Sequence, residues 1–97
     1  MNKMNRLQHL FLLLAEEASE VAQNSSKCIR FTHTHQGPQY SSNNLERLQV
    51  ELRDMFSVLS LLEQHLGILF DHTPDPEKVK RIEKYMQISV DLGTLKI

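Results

Sequence analysis

Four acidic side chains stand out for their spacing: Glu17 and Glu20 in the stretch LAEEASEVAQ, and Glu51 and Asp54 in LQVELRDMFSVL. The members of each pair are three residues apart, so on a helix both carboxylates share a face. Apolar residues flank both pairs, Leu13, Leu14 and Val21 beside the first and Val58 and Leu61 beside the second. Taking one ionised carboxylate out of water costs roughly several kcal/mol even after relaxation, and carboxylates gathered together also repel. Arg47, one turn before Glu51, neutralises at most one of them. A hard divalent cation accepts several carboxylate oxygens at once, and Mg²⁺ keeps part of its hydration and shares its shell with phosphates. One E-x-x-E spacing is commonplace on a solvated helix face. Two acidic pairs, each at the margin of an apolar stripe on neighbouring helices, point instead to a metal site. A di-iron bundle would need glutamate followed by x-x-His, and no histidine stands at such a position.

The elements that carry these residues follow from periodicity. From about Met4 to Ile29, the residues Leu7, Leu10, Phe11, Leu14, Ala18, Val21 and Ala22 recur at steps of three and four, which predicts a helix centred on Leu7, Leu14 and Ala18. Glu16 falls opposite that centre, Glu17 at its edge and Glu20 further round. Ser25 and Ser26 are expected to help end this helix. FTHTHQGPQYSSNN carries no periodicity and reads as a loop, with Asn43 or Asn44 capping the next helix. That helix is expected from about Leu45 to Phe70, with a stripe of Leu48, Leu52, Met55, Leu59, Leu62 and Leu66. Its centre is Leu48, Met55 and Leu62, with Arg53 opposite and Glu51 and Asp54 on one flank. Asp75 before Pro76 is a helix start, and a third helix over Pro76 to Val90 should bury Val79, Ile82 and Met86 before Gly93 ends it. The expected fold is all-α: one domain over residues 1–97, two long antiparallel helices and a shorter third. Oligomerisation should complete it, as a homodimer or homotetramer, since Leu12, Val50, Phe56 and Leu61 lie off the stripes.

Composition narrows the classes further. A formal charge of -1, from 11 basic and 12 acidic residues, gives no polycationic surface for nucleic acid. No window is long and uncharged enough to span a bilayer. The lone Cys28 can form no internal disulfide, so a cytoplasmic location is expected. There is neither a covalent-nucleophile arrangement nor a glycine-rich phosphate loop.

Glu16-Glu17-x-x-Glu20 followed by Glu51-x-x-Asp54 resembles the EExxE and ExxD signature of the MazG-like all-α nucleoside triphosphate pyrophosphatases, over most of the chain. The resemblance implies a helical bundle built from two or more subunits. It also implies Mg²⁺-dependent cleavage, with Mn²⁺ as a substitute, of a nucleoside triphosphate between the α and β phosphates, giving monophosphate and pyrophosphate. Glu17, Glu20, Glu51 and Asp54 are then the metal ligands, in agreement with the position of Glu16 on the wheel. Arg47, Lys80 and Lys84 are expected to hold phosphate, and Glu17 or Glu20 to position or deprotonate the attacking water. The segment between Glu20 and Glu51 is long for such a domain and is where nucleoside selectivity could lie. Lys27 and Arg30 could approach a triphosphate or simply complement the helix dipole. Asn43 and Asn44 could touch a base or sugar as well as cap. His33 and His35 read best as exposed loop residues. The alternatives are a phosphoribosyl-ATP pyrophosphatase-like enzyme and a non-catalytic helical-bundle interaction protein, whose acidic residues would pair with Arg47, Lys80 and Lys84.

Overall fold

The computed structural model describes residues 3–96. Among them are three helices and no strand: α1 (Arg6–Arg30), α2 (Asn44–Leu66) and α3 (Pro76–Asp91). None is long and apolar enough to cross a membrane.

Two asparagines start the long helices in the same way. Asn5 Oδ1 accepts from the Gln8 amide at 2.8 Å while Gln8 Oε1 accepts from the Asn5 amide at 3.0 Å. Asn43 and Glu46 repeat the exchange at 2.8 and 3.2 Å. Each box satisfies donors that a helix start otherwise leaves bare. At α3, Asp75 accepts from the Glu77 amide and Pro76 takes the first helical position, as expected.

Two helix ends differ from expectation. Ser25 and Ser26 lie inside α1, which runs on to Arg30; the chain breaks away at Thr32, whose φ of 70° is left-handed. α2 stops at Leu66 rather than Phe70 because Gly67 turns left-handed at φ 68° and donates its amide to Glu63 O. Ile68, Leu69 and Phe70 continue the apolar composition but not the helix.

α1 and α2 pack on a core of Leu10, Val58 and Leu62, with Leu7, Leu13, Leu14 and Leu59 half-buried around it. The seam on α2 is rotated from the expected leucine stripe: Asn44, Glu51, Val58 and Leu62 are buried, whereas Leu48, Leu52 and Met55 are only half-buried. The loop sets this rotation. His35 O accepts from the Asn44 amide and His33 O from the Leu45 amide, both at 2.9 Å, which fastens the start of α2 to the end of α1.

α3 touches neither α1 nor α2. Val79, Ile82 and Met86, expected in the core, are 43%, 46% and 45% exposed, because the linker after Gly67 carries the helix away from the hairpin. Leu12, Val50, Phe56 and Leu61 are exposed as expected. The radius of gyration, 17.6 Å, exceeds the ~13 Å of a compact 100-residue domain.

Two substitutions test this frame in urea titrations. Leu62, fully buried at 0% exposure, should lose about 2–5 kcal/mol on change to Ala. Gly67→Ala meets no atom within 4 Å, so its cost is conformational, about 1 kcal/mol.

Candidate metal centre

The packing of α1 on α2 brings Glu17, Glu51 and Asp54 together, one carboxylate oxygen from each lying within 4.8 Å of the others. Glu51 is 8% exposed, Glu17 half-buried and Asp54 exposed. Glu20 is exposed at the rim, its carboxyl within hydrogen-bonding reach of Glu51. Glu16 and Arg53 face outward, as the wheel predicts.

Nothing in the cluster balances its charge. The Glu51 carboxyl is pushed above its ordinary value of 4.5, first by the hydrogen bond with Glu20, then by burial and by Glu20, Asp54 and Glu17. Glu17 is raised by burial, then by Glu20, Asp54 and Glu16. Arg47 reaches only to 4.0 Å from Glu51 Oε1, the outer edge of an ion pair. Oε2 of Glu17 and Oε2 of Glu51 are buried with no donor. Buried carboxylate oxygens without donors are costly, and together they form the oxygen-rich, anionic set that Mg²⁺ or Mn²⁺ takes. The residues present therefore fit a hard divalent cation.

The contact extends towards the loop. Glu17 lies by Asp54, Glu20 by Glu51, and at the end of α1 the Asn44 side-chain amide donates to Lys27 O at 3.5 Å and to Thr32 O at 3.0 Å. Asn24 on α1 and Arg47 on α2 lie along the helices between these contacts. Each carries a buried polar atom without a partner, Oδ1 in Asn24 and Nε in Arg47. Asn24, 5% exposed, is a seam residue that the three-and-four stripe misses. Its signal is heptad spacing, since Leu10, Glu17 and Asn24 are seven apart, as are Asn44, Glu51 and Val58.

Arg47 also stacks on Tyr40, guanidinium carbon 3.9 Å from the ring centroid, with Lys27 Nζ at 5.7 Å from the same ring. His33 and His35 are exposed loop residues. Lys80 and Lys84 are not brought to the cluster: α3 stands apart from both helices, and Lys80 pairs with Glu77 at 3.5 Å with both side chains over 70% exposed.

The raised carboxyls set a pH dependence. A glutamate whose folded value exceeds its unfolded one stabilises the fold below the unfolded value, and that contribution is lost as pH rises through the folded value. The metal-free chain should therefore lose thermal stability as pH climbs above about 4.5 through the raised values of Glu17 and Glu51. Glu51→Gln should flatten that slope and raise the melting temperature at neutral pH; relief of about 1 kcal/mol corresponds to ~4–8 °C. Mg²⁺ should stabilise the parent chain and not the variant.

Comparison with protein-family models, with curated proteins and with solved structures finds no match, and the chemistry of the site is read from its geometry.

Proposed function

We propose that the chain is a Mg²⁺-dependent nucleoside triphosphate pyrophosphohydrolase of the MazG-like kind. The observation that carries this is the convergence of Glu17, Glu51 and Asp54 with two buried carboxylate oxygens that have no donor. The EExxE and ExxD spacing supports it independently.

Glu17, Glu51 and Asp54 hold the cation, with Glu20 at the edge of the set. Bound there, Mg²⁺ or Mn²⁺ neutralises charge developing on the phosphates. Glu20 suits the proton acceptor: it is exposed, it stands outside the group of three, and its contact with Glu51 orients it. Water attacks phosphorus, the bond to the leaving pyrophosphate breaks, and the proton passes to the carboxylate. Arg47, beside Glu51, holds the phosphates.

Lys80 and Lys84 serve this reaction only if α3 of one copy covers the hairpin of another, in a homodimer or homotetramer of antiparallel helix pairs. The exposed stripe of Val79, Ile82 and Met86 supports that arrangement. The same exposed apolar surface favours the second reading, a non-catalytic helical-bundle interaction protein, which requires no turnover.

Pyrophosphate release across canonical and modified nucleoside triphosphates and phosphoribosyl-ATP, with and without Mg²⁺, decides between these readings. Metal-dependent release from at least one substrate is expected. Glu17→Gln, Glu51→Gln and Asp54→Asn should each nearly abolish it with helix content retained, while Glu16→Gln stays mild. No release from any substrate leaves the interaction protein.

Sedimentation at micromolar concentration should show a dimer or larger, and Ile82→Asp should yield monomer. Lys84→Ala should lower kcat/KM about tenfold, or ~1.4 kcal/mol. A change within about twofold returns the lysines to the surface.

A further inference from the structure

Arg47 and Glu51 stand four residues apart on α2, a spacing at which a guanidinium and a carboxylate can close into a short, two-pronged pair. They do not close. Arg47 Nη2 stays 4.0 Å from Glu51 Oε1, and among the described residues the buried Arg47 Nε has no acceptor and the buried Glu51 Oε2 no donor. A donor and an acceptor left bare one turn apart need something to hold them apart, because each costs free energy unpaired. That something is a ring. The Arg47 guanidinium carbon lies 3.9 Å from the centroid of Tyr40, well inside the ~6 Å limit of a cation–π contact.

Tyr40 is itself held in place. Its amide donates to Gly37 O at 3.1 Å, and Gln36 Nε2 donates to its carbonyl at 2.8 Å. Gly37 leaves room for the ring, since a Cβ there would lie 3.2 Å from Tyr40 Cδ2. The loop as a whole is tied to α2 by the Asn44 and Leu45 amides, which donate to the His35 and His33 carbonyls. Lys27 Nζ, 5.7 Å from the same centroid, brings a second cation to the ring. The phenol responds to both: its pKa is lowered from 10.0, first by the hydrogen bond with Gln39 and then by the charges of Lys27 and Arg47.

We infer that Tyr40 is a positioning residue for the metal centre: its ring holds the Arg47 guanidinium off Glu51 and so leaves the carboxylate oxygens open to a divalent cation. The inference rests on reading Glu17, Glu51 and Asp54 as the ligands of that cation. A ring suits the task, because it attracts a guanidinium through its quadrupole and offers the metal no anionic oxygen of its own. Released from the ring, Arg47 swings onto Glu51, cancels its charge and takes the oxygen lone pairs that the cation needs. The role requires no nucleotide.

Calorimetric titration of the full chain with Mg²⁺, without nucleotide and repeated with Mn²⁺, tests it. Tyr40→Leu, with Tyr40→Gln as a second ring-free variant, should weaken binding about tenfold, ~1.4 kcal/mol for the ion pair that the metal must then displace. Tyr40→Phe keeps the ring and should bind within about twofold of the parent. In an Arg47→Gln background, Tyr40→Leu should change the affinity by less than about twofold, because no guanidinium remains to collapse onto Glu51. Melting curves verify folding, and loss of the fold in both ring-free variants makes Tyr40 a packing residue and overturns the role. So does an affinity unchanged by loss of the ring, a loss of affinity that Tyr40→Phe shares, or one that persists without Arg47. A parent chain saturated by neither Mg²⁺ nor Mn²⁺ overturns the inference together with the metal centre. The hydrolase is judged separately: metal binding that obeys this cycle without pyrophosphate release keeps Tyr40 in its role and removes the hydrolase, and pyrophosphate release with metal binding indifferent to Tyr40 does the reverse.

Discussion

The repulsion among carboxylates on the α1–α2 seam is the constraint to which the rest of the structure answers. A hairpin whose dry side were all leucine would be more stable alone, yet here Glu51 takes a place between Asn44 and Val58 that packing alone would give to an apolar side chain. The hydrogen bond with Glu20, burial and the nearby Glu20, Asp54 and Glu17 raise the pKa of Glu51, while Glu17 is raised by its own burial and by Glu20, Asp54 and Glu16. Arg47 lies too far out, and too engaged with Tyr40, to cancel the charge. Such a seam is held together by aliphatic side chains at its far end, Leu10 with Val58 and Leu62, and by the loop at its near end.

The loop is therefore a structural part of the site. The His33 and His35 carbonyls accept from the first amides of α2, and Asn44 bridges back to Lys27 and Thr32. These bonds set the rotation of α2, and that rotation places Glu51 on the seam. The left-handed Thr32 lets the chain leave α1 at the required angle, a strain for a β-branched residue that the surrounding bonds offset.

Much of this was legible in the residues. Long amphipathic stripes, Asn43 before α2 and Asp75-Pro76 before α3 announce the helices and their starts. The outward position of Glu16 and the approach of Glu17 to Glu51 and Asp54 follow from angular position alone. The seam was less legible, because a helix wheel finds the centre of hydrophobicity, and two helices in contact cover a strip narrower than the full apolar arc. On α2 that strip follows heptad positions Asn44, Glu51 and Val58, so polar residues enter it and Leu48 and Leu52 are left half-covered. The end of α2 was misjudged for a local reason, the αL turn at Gly67 inside an apolar run. The placement of α3 was illegible because its stripe records that it packs, and not on what.

That distinction bears on how the chain can be stable at all. Among the described residues the buried hydrophobics Leu10, Val58 and Leu62 form a small core for a chain of this length. Part of the apolar surface left over is organised: Val79, Ile82 and Met86 form one face of α3, while Val50, Phe56 and Leu61 are exposed at separate positions around α2. A hairpin weakened by buried carboxylates gains most from burial elsewhere, and a face with helical periodicity suits another helix better than solvent. The charge on the seam and the bare face of α3 are thus linked, since the more the site draws from the stability of the hairpin, the more the fold depends on surfaces away from the site.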